Sequence, residues 1–291
     1  GNTTRAYRAA FRYIVIQVGS GMFLLAGAVL FLYSNGNALL GQMSIDDTSG
    51  LLIFLAFGIK AAFPFLNGWL QDTYPEASEV GTVALSSFTT KLAIYALARS
   101  FAGTDILIYI GALMTFFPIF FAVIENDLRR VLAYSLINPL GFMVVAGGIG
   151  TELAITGFVA KSLIMSSLGY EGLSFIYFML LFASAGVLHH SGIKIPFFAF
   201  FAHESGHKPK EAPINMIIAM VIGSVLCILI GIFPSVFYQI LPYSVEYQPY
   251  DFSHVLSQLQ LLTFAAFAFI CLWHFKIYPP ELNSTVLNSD W

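Results

Sequence analysis

LLIFLAFGIKAAFPFLNGWL, residues 51–70, decides the fold of this chain. It is nearly all apolar and carries one charge, Lys60, close to its centre. About twenty apolar residues in helical form cover roughly 30 Å, the thickness of bilayer hydrocarbon. Two further stretches repeat the arrangement: GTVALSSFTTKLAIYALARSF (81–101) around Lys91 and LAITGFVAKSLIMSSLGY (153–170) around Lys161. Each amine lies about eight to ten residues, or about 12–15 Å, from either end of its segment, too deep to snorkel to water. An unpaired lysine at a helix centre costs roughly 2.5–3.5 kcal/mol, so three cost on the order of 8–10 kcal/mol. Residues that expensive are kept where a partner or a task requires them, and intramembrane lysines mark proton and ion paths.

The rest of the chain agrees with a membrane class. Of 291 residues 58% are hydrophobic and only 10% charged, with a mean hydropathy of +0.79. Soluble domains carry about 25% charged residues. The apolar runs are continuous, whereas a β-barrel would alternate over ten-residue segments. The expected fold is all-α, a polytopic transmembrane helix bundle forming a single membrane domain over residues 1–291. Nine apolar segments run approximately over 11–33, 51–70, 81–101, 105–124, 131–149, 153–170, 173–191, 214–238 and 255–275. Segment 153–170 is short and polar enough to be a broken or re-entrant piece. A net charge of −3 without a basic run argues against a nucleic-acid partner. GNTTRAYRAA does not read as a signal peptide. Cys227 and Cys271 lie in apolar runs and read as buried free thiols. Arg5, Arg8 and Arg12 favour a cytoplasmic start. If every segment crosses once, Arg129 and Arg130 share that side and Lys194, Lys208, Lys210 and Lys276 fall opposite.

Helix breakers accompany the lysines. Pro64 follows Lys60, Ser86, Ser87, Thr89 and Thr90 precede Lys91, Gly157 precedes Lys161, and Pro139 interrupts 131–149. Breaks inside a membrane build ion sites because freed backbone groups must find internal partners or water. Burial disfavours a charged amine, so a partly hydrated lysine can load and unload a proton near neutral pH. The alternative for Lys60, Lys91 and Lys161 is a set of structural ion pairs. Glu125 and Asp127 sit with Arg129 and Arg130 at a helix junction, where a solvated charged loop competes with a functional role. Asp72, Glu76 and Glu79 read as a polar turn, and Glu152 as interfacial. His203-Glu204-Ser205-Gly206-His207 matches the zinc-hydrolase pattern H-E-x-x-H. That chemistry needs a continuous helix, which Gly206 and Pro209 weaken. The adjacent His189 and His190 cannot share a helix face and read as interfacial, while His254 and His274 stand alone.

GIKAAFPFLNGWLQDTYPEASEVGTVALSSFTTKLAIYALARSF (58–101) resembles the signature of the antiporter-like membrane subunits of respiratory complex I, membrane-bound hydrogenases and multisubunit sodium/proton antiporters. DLRRVLAYSLINPLGFMVVAGGIGTELAITG (127–157) is similar to their next shared block. GFVAKSLIM (157–165), FASAGVLHHSGIKIPFFAFFAHESGHKPKEAPINM (182–216) and PYDFSHVLSQLQLL (249–262) most resemble the D-type member of the multisubunit sodium/proton antiporter branch. The resemblance implies that Lys60 is the central proton-carrying lysine of a broken helix. It implies that Lys91, 31 residues on, hands protons onward, and that Lys161 serves near an exit half-channel. Relative to the family, the chain lacks the N-terminal helices, including the one whose glutamate partners the central lysine. It also lacks an internal segment near 150–158, which in the family carries a His and a Lys.

The expected function is that of a membrane subunit of a multisubunit cation/proton antiporter or related proton-translocating complex. Protons would pass between Lys60, Lys91 and Lys161, with Ser86, Ser87, Thr89, Thr90, Ser162 and Glu125 in support. The chain would be a translocase only within a redox-driven complex. A structural subunit without transport is the alternative, and an intramembrane zinc hydrolase a remote one. No cofactor or metal is expected. The expected partners are other membrane subunits, protons, sodium and the lipid of a prokaryotic plasma (inner) membrane.

Overall fold

The computed structural model describes residues 3–37, 39, 41–125, 127–150, 157–201, 213–239, 247–248 and 250–275. Among them the elements are all helical. They are α1 (Thr4–Asn35), α2 (Thr48–Ala61), α3 (Gly68–Glu76), α4 (Glu79–Ala84), a π-helical turn (Leu85–Thr89), α5 (Thr90–Ser100), α6 (Asp105–Ile124), α7 (Leu128–Ile149), α8 (Gly157–Tyr170) and α9 (Ser174–Val187). Further π-helical turns (Leu188–Lys194 and Phe197–Phe201), α10 (Ile214–Ile232), α11 (Pro234–Tyr238) and α12 (Phe252–His274) follow. Among the described residues seven helices are long and apolar enough to cross a bilayer, with α4 and α5 counted as one span and α9 extended to Lys194. Each of the nine apolar segments corresponds to one helix or one broken pair.

Charge places the ends. Arg12 pairs with Asp72 at 2.6 Å and Arg5 with Glu76 at 3.5 Å. Arg129 donates to the carbonyls of Pro75 (2.7 Å) and Ala77 (2.9 Å). The start of α1, the end of α3 and the start of α7 therefore share one end, the arginine end. The acidic residues Asp72 and Glu76, which read as a plain polar turn in the sequence, are its counter-ions. At the opposite end the Met43 amide donates to Ser100 O and the Gly103 amide to Gly147 O. The N-terminus of α12 is capped by Asp251, whose carboxylate accepts from Ser253. Those hydrogen bonds hold its carboxyl below the usual range.

The tightest helix pair is α6 against α7. A Cβ placed on Gly111 would lie 2.6 Å from Gly141 O, and one on Gly141 would lie 2.6 Å from Gly111 O. Without a hydrophobic drive between helices in lipid, association depends on close backbone approach, which glycine alone allows here. Aromatic packing then adds α9, with Phe182 against Phe116 and Phe120 of α6. Outside the packed groups lie exposed apolar side chains such as Leu25, Val29, Phe117 and Phe121, which suit a lipid-facing surface. Helix α10 buries none of its residues against described neighbours. Cys227 on α10 is consequently exposed and Cys271 on α12 half-buried, which corrects the reading of both as buried thiols.

Two expectations about continuity and direction are corrected. Helix α7 runs unbroken through Pro139. A proline removes one amide, leaving the Ser135 carbonyl without its helical donor, and neighbouring helices support the rest of the turn. Lys194 lies at the arginine end, not opposite it, because it reaches the carbonyls of Ala122, Val123 and Glu125 where α6 terminates. Helix α9 therefore runs parallel to α6, and α8, joined to it by residues 171–173, runs the same way as α7. Lys161 of α8 indeed stands level with Phe142 of α7, 5.7 Å from the ring centroid. The alternation of crossings assumed from sequence fails between α7 and α8.

Gly141→Val is expected to destabilise the bundle by about 1–3 kcal/mol through overpacking of the α6–α7 seam, read as a lower melting temperature in detergent. In a Cys227→Ser/Cys271→Ser background, Gly192→Cys and Arg130→Cys should be labelled from one side of the membrane by an impermeant thiol reagent. Asp105→Cys and Glu171→Cys should be labelled only from the other.

Candidate functional site: a row of lysines

Two of the lysines named from sequence, Lys60 and Lys91, stand beside a departure from regular α-helix, and Lys161 lies within α8 (Gly157–Tyr170). Lys60 occupies the last turn of α2, which stops at Ala61. Ala62 (φ 63°) and Phe65 (φ 66°) then adopt left-handed backbone, which for side-chain-bearing residues costs about 1–3 kcal/mol each and persists only where the surroundings enforce it. The surroundings do so here. Trp69, almost fully buried, donates its indole N–H to Ile59 O at 3.0 Å, satisfying a carbonyl at the broken end. Lys60 Nζ donates to Gln17 Oε1 of α1 at 2.9 Å.

Lys91 follows the π-helical turn Leu85–Thr89. A π-turn widens the backbone and leaves carbonyls off the regular ladder, and Lys91 Nζ donates to one of them, Ser86 O, at 2.7 Å. Lys161 points at the face of Phe142, a cation–π contact, and lines a cavity of about 480 Å³. Ser162, Tyr177, Ser184, His254, Ser257 and Gln258 share the cavity wall. His254, which looks isolated in the sequence, belongs to this polar space between α8, α9 and α12.

The three amines share a depth. Lys60 is about 18 Å along α2 from its start, Lys91 about 14 Å from the end of α5, and Lys161 about 14 Å from the end of α8. All three reference points lie at the end opposite the arginines. Helices α2 and α5 pack together, α5 packs on α7, and α7 on α8, so the lysines form one lateral row. The described residues form ion pairs between Arg5 and Glu76, Arg12 and Asp72, and Arg130 and Glu125, and none among them involves these amines.

The supporting residues divide. Ser86 is half-buried and supplies the carbonyl under Lys91, Thr89 is half-buried, and Ser87 is exposed on the outer surface. Thr90 is fully buried with its hydroxyl toward that of Tyr74. Nearby, the Gln17 amide nitrogen, Gln71 Oε1 and Thr73 Oγ1 are buried with no hydrogen-bond partner among the described residues. Ser162 is buried beside Lys161 and bonds the Tyr247 hydroxyl. Glu125 lies far from the lysine row, at the arginine end, with Arg130 at 3.9 Å. His203–His207, Glu152, Lys208, Lys210 and Lys276 lie outside the described residues. Among the described residues no cluster of His, Cys, Asp and Glu has the arrangement of a metal site.

The NADH:quinone oxidoreductase/Mrp antiporter transmembrane family matches residues 1–183. The chain belongs to this family. It is 29% identical over 178 residues to the D-type subunit of the Na(+)/H(+) antiporter of Alkalihalophilus pseudofirmus, a match covering 54% of this chain and 36% of that protein. It is 27% identical over 175 residues to the M-type subunit of the NADH-quinone oxidoreductase of Escherichia coli, covering 53% and 34% respectively. The chain thus spans about a third of the length of these curated relatives. A solved archaeal respiratory complex, the membrane-bound sulfane sulfur reductase, contains a chain of the same fold. That likeness has a TM-score of 0.68 at 21% identity and covers 81% of this chain and 65% of that one. Family membership makes the protein a polytopic helical membrane protein.

Gln17 escaped the sequence reading, although a glutamine inside an otherwise apolar helix was a visible signal. Gln17→Leu is expected to destabilise the protein by about 1–3 kcal/mol, because it strands the Lys60 ammonium. Gln17→Glu should cost less, since a carboxylate replaces the acceptor. Melting temperatures of the two variants in the same detergent check the order.

Proposed function

We propose that this protein is a membrane subunit of a multisubunit cation/proton antiporter or related proton-translocating complex, in which Lys60, Lys91 and Lys161 pass protons along the row. The observation that carries the reading is the set of three amines at one depth, on three neighbouring helical segments, two of them at breaks and each held by a neutral group. A carboxylate partner would fix the ammonium form, whereas an amide, a carbonyl and an aromatic face leave it free to lose its proton. The buried polar atoms of Gln17, Gln71, Thr73, Tyr74 and Thr90 surround the Lys60–Lys91 region. A buried polar group costs about 1–3 kcal/mol if unpaired, and water is the partner that satisfies it. The 480 Å³ cavity offers the same solvent to Lys161. The relatives, named as the D-type antiporter and M-type oxidoreductase subunits, support other membrane subunits as partners and protons, with sodium, as cargo.

Lys60→Ala in the reconstituted assembly is expected to lower proton flux across vesicles at least about tenfold, within the range that positioned proton-transfer groups contribute. A pH-sensitive dye trapped in the lumen measures it. Flux equal to that of the unaltered assembly would remove Lys60 from the path.

A further inference from the structure

One polar cluster at the arginine end takes no part in the row of lysines. His190, 1% exposed, lies in the π-helical turn Leu188–Lys194. His189 and His190 are both buried, and they stand toward the arginine end of the bundle. The two rings do diverge as adjacent residues must, His189 toward Phe269 of α12 and His190 toward α7. Both nitrogens of His190 are engaged. Nδ1 lies 2.6 Å from Gly186 O, and Nε2 lies 2.5 Å from Ser135 Oγ. A carbonyl only accepts, so Nδ1 carries the ring proton and Nε2 accepts from the Ser135 hydroxyl. Ser135 Oγ lies 3.1 Å from Ser191 Oγ and accepts from it in turn. The polarity of the chain is thereby set, Ser191 to Ser135 to His190.

The cluster has charge on one side and the Lys161 cavity on the other. Toward the end of the bundle, Lys194 (6% exposed) donates to the carbonyls of Ala122, Val123 and Glu125, and the Glu125 carboxylate lies near Arg130. Toward the interior, Ser184 on the same helix lines the cavity that holds Lys161. The titratable or charged groups around the imidazole are His189 and Lys194 on its own turn, Tyr134 and Arg130 on α7, and Glu125 after α6. Helix α12 presents Phe269 there.

We propose that Ser191, Ser135 and His190 form a second proton-transfer site, which links the arginine end of the bundle to the Lys161 cavity. The inference rests on the reading of this chain as a proton carrier. Ser191 takes a proton from water at the charged end and gives its own to Ser135. Ser135 gives its proton to Nε2, which makes an imidazolium. The imidazolium returns to neutral by giving up its Nδ1 proton, which faces the Gly186 carbonyl, to water of the Lys161 cavity that Ser184 lines, so one proton enters and one leaves. A purely structural role would instead make the cluster a pin between α7 and α9.

The test uses the full chain in its reconstituted assembly, with Ser135→Ala, Ser135→Thr and His190→Asn beside Lys60→Ala. The expected result is a fall in proton flux of at least about tenfold for Ser135→Ala and His190→Asn. The amount and melting temperature of the assembly should hold, and Ser135→Thr, which keeps a hydroxyl, should retain flux. If His190→Asn fails to assemble, the two Ser135 variants decide. Flux at the unaltered level in Ser135→Ala overturns the proposal. So does a loss of flux matched by an equal loss of assembly that Ser135→Thr does not repair. Flux lost in Lys60→Ala but kept in Ser135→Ala removes this site alone. The reverse pattern keeps this site and removes Lys60.

Discussion

A backbone carbonyl inside hydrocarbon has no water to turn to, and this structure depends on how its stray carbonyls are met. Trp69 meets Ile59 O, Ser20 meets Ala56 O, and Lys91 meets Ser86 O. His190 meets Gly186 O, while Lys194 gathers three carbonyls at the end of α6. The helix interruptions are tolerable because side chains reach them. In three of these cases the side chain can also carry a proton. Satisfying the backbone and positioning titratable groups are thus one solution to one problem, and a π-helical turn supplies both the spare carbonyl and the widened space beside it.

The same economy explains why the lysines keep neutral company. Charge pairing is concentrated at the arginine end, where Arg5, Arg12 and Arg130 meet carboxylates in exposed or half-exposed settings. Pairs of that kind contribute little to stability and are screened by salt. Deeper in the bundle the ammonium groups meet an amide oxygen, a carbonyl and an aromatic ring. These contacts compensate part of the burial cost without a paired carboxylate.

Much of the fold was legible in the residues. The nine apolar segments reappear as helices or broken pairs because hydrocarbon thickness and helical rise leave few other lengths. The break after Lys60 was signalled by Pro64, while the reading of 153–170 as a broken or re-entrant piece falls partly outside the described residues, and α8 runs without interruption over the rest. Two kinds of information were not legible. Direction failed because counting crossings assumes alternation, and α8 runs with α7. Polar pairing failed because partners lie far apart in the chain: Gln17 with Lys60, Ser135 with His190, and Lys194 with residues 122–125. Proline at 139 misled for a related reason, since a helix braced by a neighbour as close as α6 can forgo one amide bond.

The glycine seam between α6 and α7 has a mechanical consequence. Where Gly111 and Gly141 bring the two backbones into contact, neither helix can slide or rotate without a collision. The pair acts as a stiff plate in the middle of the molecule. Any flexing of the bundle must therefore fall outside that plate.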